Sequence, residues 1–150
     1  MGEYKFYVLG CRGSRPVSGI HCQQFGGATS CYIIKADRHA IVLDCGTGLY
    51  DAGPFLEGCT HIDILLTHAP ASGLNDGTDK AHKGFQVFND LMDQYQPKWF
   101  IHGHMHLNYG ANLPRVCTRG GTTVINATER YEFEIPDPVQ VPKRKLFGWG

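Results

Sequence analysis

The pattern of apolar and polar positions predicts a chain built mainly of short strands. Five segments are rich in apolar residues and are bounded by glycine, proline or other turn-forming residues; they lie at residues 5–9, 30–35, 39–43, 62–68 and 98–102. Apolar segments of this length between turn signals are typical of strands. Only residues 36–38 separate the second segment from the third, which predicts a hairpin.

The last third of the chain contains two more predicted strands. They span residues 122–127 and 130–135, with a turn at Thr128 and Glu129 between them. Pro136 and Pro138 follow and favour an irregular tail over residues 136–150, since proline cannot contribute an amide hydrogen to a sheet. We find no internal repeat and no long linker, so the 150 residues are expected to form one domain.

One long helix is predicted at residues 80–95 and ends before Pro97. Its apolar residues recur at spacings of three and four and would form one core-facing side: Phe85, Phe88, Leu91, Met92 and Tyr95. Polar residues between Asn75 and Asp79 could cap its first turn. A second, short helix at residues 49–56 would be broken, because Gly53 and Pro54 lie inside it.

Histidines follow two of the predicted strands. His68 ends the segment at residues 62–68, and Gly103, His104, Met105 and His106 follow the segment at residues 98–102. Ligands often bind where the carboxyl ends of strands meet, and three histidines that leave one position open make a catalytic zinc site. The pattern predicts a metal site on His68, His104 and His106. The alternative is that all three are structural, hydrogen-bonded histidines.

Asp44 is the best candidate for an oxygen ligand or a general base. It follows the strand at residues 39–43 and precedes Gly46 and Gly48. A carboxylate at a strand end needs a partner. That partner is either the metal site or the amide hydrogens of residues 46–48, and the sequence favours neither. Asn75, Asp76 and His82 are secondary candidates for contacting a substrate.

Composition excludes several classes of partner. The chain has 14 basic and 14 acidic side chains, so bulk charge favours neither nucleic acid nor an anionic membrane. No apolar segment approaches the roughly 20 residues that span a bilayer. Six cysteines without CxxC spacing, and no signal peptide, predict reduced thiols in a cytoplasmic protein. We expect a small-molecule substrate.

The first half of the chain resembles the amino-terminal part of metallo-β-lactamase-fold hydrolases. The resemblance extends over residues 4–68 and is carried by residues 9–14, 25–31, 43–48 and 62–68. In that family the last segment continues into a zinc-binding HxHxDH signature. Here residues 69–72 read Ala-Pro-Ala-Ser, so the resemblance implies that His68 alone survives from that signature.

The second half resembles the carboxy-terminal part of calcineurin-like metallophosphoesterases. It extends over residues 62–135 and is carried by residues 66–70, 75–77, 82–85, 100–106 and 120–127. The resemblance implies that His68 and His104 bind one ion of a dinuclear centre and that His106 binds the other. The family's amino-terminal DxH, GD and GNH motifs have no counterpart in this chain.

Together the two resemblances indicate a chimera-like α/β protein in which two hydrolase halves share the strand that ends at His68. Both families have a four-layer αββα sandwich with metal at strand ends, so the expected fold is a compact αββα-type sandwich of reduced size. A sandwich shortened in this way would expose apolar sheet faces, and a homodimer could cover them.

The expected activity is metal-dependent hydrolysis with one or two zinc or manganese ions. Asp44 would complete the ligands and orient or deprotonate the attacking water. Phosphoesters are the first candidate substrates, because the matched ligands come from the phosphoesterase half. Hydrolysis of a β-lactam, lactone or other acyl substrate is the second candidate. A metal-binding hybrid without turnover is the third.

Overall fold

The central feature of the protein is one mixed sheet of seven strands. The computed structural model describes residues 3–13, 15–22, 24, 26–106 and 114–135. In chain order the strands are β1 (Tyr4–Gly10), β2 (Cys31–Ala36), β3 (His39–Leu43), β4 (His61–Thr67), β5 (Trp99–His102), β6 (Val116–Arg119) and β7 (Thr122–Asn126). Their order across the sheet is β1-β2-β3-β4-β5-β7-β6.

The strand directions divide the sheet into an antiparallel and a parallel part. β1, β2 and β3 pair antiparallel, and β6 pairs antiparallel with β7. β3, β4, β5 and β7 are parallel neighbours. The predicted α/β class is confirmed. Within the described residues all seven strands belong to one sheet, whereas a four-layer αββα sandwich has two.

The predicted hairpin and the central strands are confirmed, whereas the strand predicted at residues 130–135 is wrong. β7 pairs instead with β6, a strand that was not predicted, across a turn at Gly120 and Gly121. Residues 131–135 lie beside the sheet without strand pairing. The Phe133 side chain packs on β5, with its ring 5.7 Å from that of Trp99.

The long helix, α2, covers Gln86–Tyr95 and starts six residues later than predicted. Carboxylates hold the preceding segment in a loop: Asp79 accepts the amide hydrogen of Ala81 at 2.9 Å, and Asp76 accepts that of Gly84 at 2.9 Å. The prediction that residues 75–79 cap the helix is therefore wrong. These side chains accept hydrogen bonds from amides of the loop that precedes α2, and not from the first turn of the helix.

The predicted core-facing side of α2 is confirmed only in its middle. Phe88 and Met92 are buried, whereas Phe85, which precedes the helix, and Tyr95 are exposed. The helix ends at Gln96, whose left-handed backbone directs its N–H to the carbonyl of Met92.

The remaining helices are short. As predicted, the region at residues 49–56 is broken, into a 3₁₀ helix at Thr47–Asp51 and α1 at Gly53–Leu56; another 3₁₀ turn lies at Ile20–Cys22. No helix among the described residues combines the length and apolar character needed to cross a bilayer.

The hydrophobic core lies between the sheet and α2. Phe88 of the helix packs on Phe100 of β5, with ring centroids 5.6 Å apart. Side chains from the same face of neighbouring strands are almost fully buried beside them: Ile33, Val42, Leu65 and Val124. Each such side chain contributes about 1.5–3 kcal/mol of hydrophobic free energy. This face of the sheet fixes the positions of β3, β4 and β5.

All six cysteines are free thiols, as the sequence analysis predicted. Cys31 is fully buried in the core. Burial, with a smaller contribution from the charge of Asp44, raises its pKa to about 11. The thiol therefore stays protonated and unreactive near neutral pH.

We expect iodoacetamide at pH 8 to alkylate the exposed Cys11 well before Cys31 in the folded protein. Peptide mass spectrometry over a time course measures both rates in one sample. Protein labelled in concentrated urea is the control, because unfolding should make the two rates similar. Equal rates in the folded protein would contradict the burial of Cys31.

Candidate functional site

The candidate site lies at the carboxyl ends of three neighbouring central strands, β3, β4 and β5. Asp44 directly follows β3, His68 follows β4, and Gly103 follows β5. Two backbone hydrogen bonds extend the pairing beyond the strands: Asp44 N–H donates to Leu66 O at 2.8 Å, and Gly103 N–H donates to His68 O at 3.1 Å. Parallel pairing thus holds the three segments side by side.

His68 and His104 form a close imidazole pair at this edge. His68 Nε2 lies 3.1 Å from His104 Nδ1, and the rings meet edge to face at 5.0 Å. The other nitrogen of His104, Nε2, lies 2.8 Å from the carbonyl oxygen of Ala81. Because a carbonyl only accepts hydrogen bonds, Nε2 carries the hydrogen and Nδ1 presents its lone pair towards His68.

This pair suits two ligands of one transition-metal ion. Two nitrogens at zinc distances of about 2.0–2.1 Å in a tetrahedral site lie about 3.3 Å apart, close to the observed separation. Metal-binding histidines also commonly donate their second nitrogen to a carbonyl, as His104 does to Ala81. Within the described residues, however, no group of three or more His, Cys, Asp or Glu side chains converges on one point.

The other two predicted ligands, His106 and Asp44, do not join such a group. His106 is exposed at the end of the segment after β5. Asp44 is also exposed, and its carboxylate is on the same cavity as His68. The predicted metal site on all four residues therefore stays a prediction.

The three backbone amides that follow Asp44 have acceptors other than its carboxylate. The amide of Gly46 donates to the main-chain oxygens of Ser30 and Asp44, and the amides of Thr47 and Gly48 donate to Thr29. The three amides are thus satisfied without the Asp44 side chain. The alternative in which the Asp44 carboxylate accepts these amide hydrogens is therefore wrong, and its role as a ligand stays a prediction.

Asp44 and His104 share an uncommon backbone conformation. Their φ angles are +53° and +65°, in the left-handed region that residues other than glycine seldom adopt. Strained backbone of this kind concentrates at functional sites, because the surrounding structure must maintain it. The same conformation occurs at Asp37, Gln96 and Glu129, outside the candidate site, so by itself it does not mark a functional residue.

A cavity of about 820 Å³ opens beside the site. Apolar residues of β4, α2 and the segment 49–56 contribute to its lining, and Asp44, Thr67 and His68 add polar groups. This volume is within the range of small-molecule sites. The cavity therefore places a substrate-sized space next to the imidazole of His68.

An oriented imidazole that the sequence indicated only as a secondary candidate also lies at this edge. His82 donates from Nδ1 to the carboxylate of Asp79 at 2.9 Å, and this hydrogen bond lowers the pKa of Asp79. The His82 ring is 5.2 Å from that of His104. The spacing of three residues between Asp79 and His82 was the available signal, but the sequence did not show that their loop packs against His104.

The other residues of this region support the loops. Asn75 is buried, and its side-chain amide lies 3.5 Å from the carbonyl of Arg115. His102 is buried at the end of β5 and donates from Nδ1 to the carbonyl of Gly103 at 2.9 Å. Burial lowers the pKa of His102, which favours its neutral form. These contacts fix the loops that carry His68 and His104.

We expect Gly46→Ala to destabilise the protein by about 1–3 kcal/mol, because the loop after Asp44 has no room for a side chain. A Cβ at Gly46 would lie 2.7 Å from the carbonyl oxygen of Ser30 and would also collide with the Thr29 hydroxyl. Gly53→Ala is the matched control, since a Cβ there meets nothing within 4 Å. Urea denaturation measures both, and equal stabilities would contradict this packing.

Fold and site together define a mixed α/β protein with paired histidines at the carboxyl edge of its parallel strands. The chain is similar to metallophosphoesterase domain-containing protein 1 of Homo sapiens and of Mus musculus, with 33% identity over 70 residues in each case. These matches cover 45% of this chain and 20% of each relative. They support the resemblance to metallophosphoesterases.

A third relative is a UPF0046 protein of Caenorhabditis elegans, which is 30% identical over 91 residues. That match covers 59% of this chain and 21% of the relative. The chain thus spans about a fifth of the length of the curated relatives it matches. No protein-family model and no solved structure matches it.

Proposed function

We propose that the protein is a metal-dependent hydrolase of phosphoesters, with His68 and His104 as the two principal ligands of a divalent ion. The observation that carries this proposal is the 3.1 Å separation of His68 Nε2 and His104 Nδ1. The similarity to proteins named for a metallophosphoesterase domain supports the same chemistry.

Contacts within the chain orient the His104 ring as a ligand in the absence of an ion. The Ala81 carbonyl fixes the ring tautomer, and the Gly103–His68 backbone hydrogen bond fixes the distance between the two loops. Asp44 and His106 are the proposed further ligands. Since the described residues do not hold three ligand groups together, these two side chains would have to approach the pair on binding.

A bound zinc or manganese ion would supply Lewis acidity and lower the pKa of a water ligand towards neutrality. Asp44 would accept the proton of the attacking water or orient it, because its carboxylate is exposed on the cavity that His68 also lines. In its protonated form His82, oriented by Asp79, would donate from Nε2 to a phosphoryl oxygen near His104. The cavity would hold the organic group of the ester.

Two alternative functions can be distinguished by experiment from the hydrolysis of phosphoesters. Hydrolysis of a β-lactam, lactone or other acyl substrate would use the same edge of the sheet, and its support is the sequence resemblance of residues 4–68. A metal-binding protein without turnover would need only the imidazole pair. Metal binding and two chromogenic substrates separate these functions from the proposed one.

We expect zinc or manganese to stabilise the protein and to support hydrolysis of bis(4-nitrophenyl) phosphate. Metal at a hundred times its dissociation constant should add about 2.7 kcal/mol to the free energy of unfolding. His68→Ala and His104→Ala should each remove this stabilisation and lower the hydrolysis rate about a hundredfold or more. Thermal unfolding and absorbance at the nitrophenolate band measure the two effects.

His61→Ala is the matched control, because His61 is an exposed histidine at the opposite end of β4. Its metal stabilisation and its rate should equal those of the unchanged protein. Full activity in His104→Ala would contradict the proposed metal site. Metal stabilisation with turnover of a chromogenic β-lactam alone would favour the acyl hydrolase, and stabilisation with neither activity would favour the binding protein.

A further inference from the structure

We propose that the cavity beside His68 is a groove that binds the alkyl chain of a phosphoester. We call this cavity the alkyl groove. The inference rests on the proposed function, because it names the class of ester that the imidazole pair would hydrolyse. It goes further in assigning the organic group of the substrate and the side chains that select it.

The alkyl groove lies between two helical segments that cover different strands. The 3₁₀ helix at Thr47–Asp51 lies over β2, because a Cβ added at Gly48 would be 3.0 Å from the Cβ of Cys31. α2 lies over β5, where the rings of Phe88 and Phe100 are 5.6 Å apart. β3 and β4 come between β2 and β5 in the sheet. The gap between the two helical segments therefore leaves a groove above β3 and β4.

The alkyl groove is longer than it is wide. Asp44 and His68 line one end, and Ile62 and Pro97 line the other. Within β4, the distance from Ile62 to Thr67 is about 17 Å, whereas the two strands beneath the groove give a width of about 10 Å. An extended alkyl chain matches this shape better than a compact sugar or ring system does.

The lining of the alkyl groove is suited to an uncharged group. Aliphatic side chains contribute to both walls and to the floor: Val42, Leu56, Ile62, Leu65, Val87 and Leu91. Among the described residues, Asp44 is the one acidic side chain of the lining, and no lysine or arginine contributes to it. Tyr50 and Tyr95 are exposed, so they lie at the rim. A second phosphate group would find no cationic partner there.

The threonine hydroxyls that border the alkyl groove already have partners within the chain. Thr67 donates to the carbonyl of Ala69 at 2.6 Å. The Thr47 hydroxyl accepts the amide hydrogen of Thr29 at 2.9 Å, and the Thr29 hydroxyl accepts that of Thr47 at 2.7 Å. Burial raises the pKa of the Cys45 thiol, which stays neutral. A nucleoside would lose hydrogen bonds to water in the groove, whereas an alkyl chain has none to lose.

The position of the alkyl groove relative to the imidazole pair orients the ester. Because His68 and Asp44 line one end, an ester with its phosphorus beside them would extend its chain over Leu65 towards Ile62. Hydrolysis would join the oxygen of the attacking water to phosphorus and break the ester bond. One proton of that water would pass to the departing alkoxide, so the products are a phosphate and the free alcohol.

The first test compares the binding of decyl phosphate with that of ribose 5-phosphate. The full chain is titrated with a chelator present, so that metal at the imidazole pair does not affect the result. Isothermal titration calorimetry below the micelle concentration of decyl phosphate measures both dissociation constants. Decyl phosphate should bind at least about a hundredfold more tightly, because burial of its methylene groups is favourable.

Val87→Gln should weaken the binding of decyl phosphate about fivefold, since it removes apolar surface from one wall of the alkyl groove. Val116→Gln is the matched control. The two valines are 48% and 42% exposed, but Val116 lies on β6 and does not line the groove. Circular dichroism shows whether each variant is folded. If Val87→Gln does not fold, Leu56→Gln on the opposite wall replaces it.

Turnover separates this inference from the proposed function. With manganese, kcat/KM for decyl 4-nitrophenyl phosphate should exceed that for methyl 4-nitrophenyl phosphate at least about tenfold. Tight binding of decyl phosphate without hydrolysis of either ester would support the alkyl groove and contradict the hydrolase. Hydrolysis that is independent of chain length would overturn the alkyl assignment alone. Equal binding of the two phosphates, or unchanged binding in folded Val87→Gln, would also overturn it.

Discussion

The parallel pairing of β4 with β3 and β5 is the constraint on which the site depends. Because the three strands run in one direction, their carboxyl ends meet at the same edge, and each delivers a polar residue there. The hydrogen bond from Gly103 to His68 carries the pairing one residue further. The imidazole pair is thus a product of backbone geometry, and the core beneath it holds that geometry in place.

The sequence predicted the features that depend on local apolar pattern. The strands that end before Asp44, His68 and Gly103 were predicted because each is a short apolar segment that a turn signal closes. The start of α2 was not, since the loop before it depends on Asp76 and Asp79, whose side chains bind amides several residues away. The spacing of the histidines likewise gave the candidates but not the contact with Ala81, because that carbonyl belongs to a distant loop.

The two faces of the sheet serve different purposes. One face packs against α2 and makes the core, whereas the opposite face carries the paired residues Leu43 and Leu66 close to the site. Leu43 immediately precedes Asp44, and Leu66 lies two residues before His68. A layer packed on that second face would therefore also restrain the strand ends that carry Asp44 and His68.

The connections between strands differ in length, and this difference has a consequence for the order of folding. β2 joins β3, and β6 joins β7, through two-residue turns, whereas about thirty residues separate β4 from its parallel partner β5. Contacts between distant segments form more slowly than local hairpins, because a longer loop must close first. His68 and His104 meet only through that closure, so we expect the imidazole pair to form after the two hairpins.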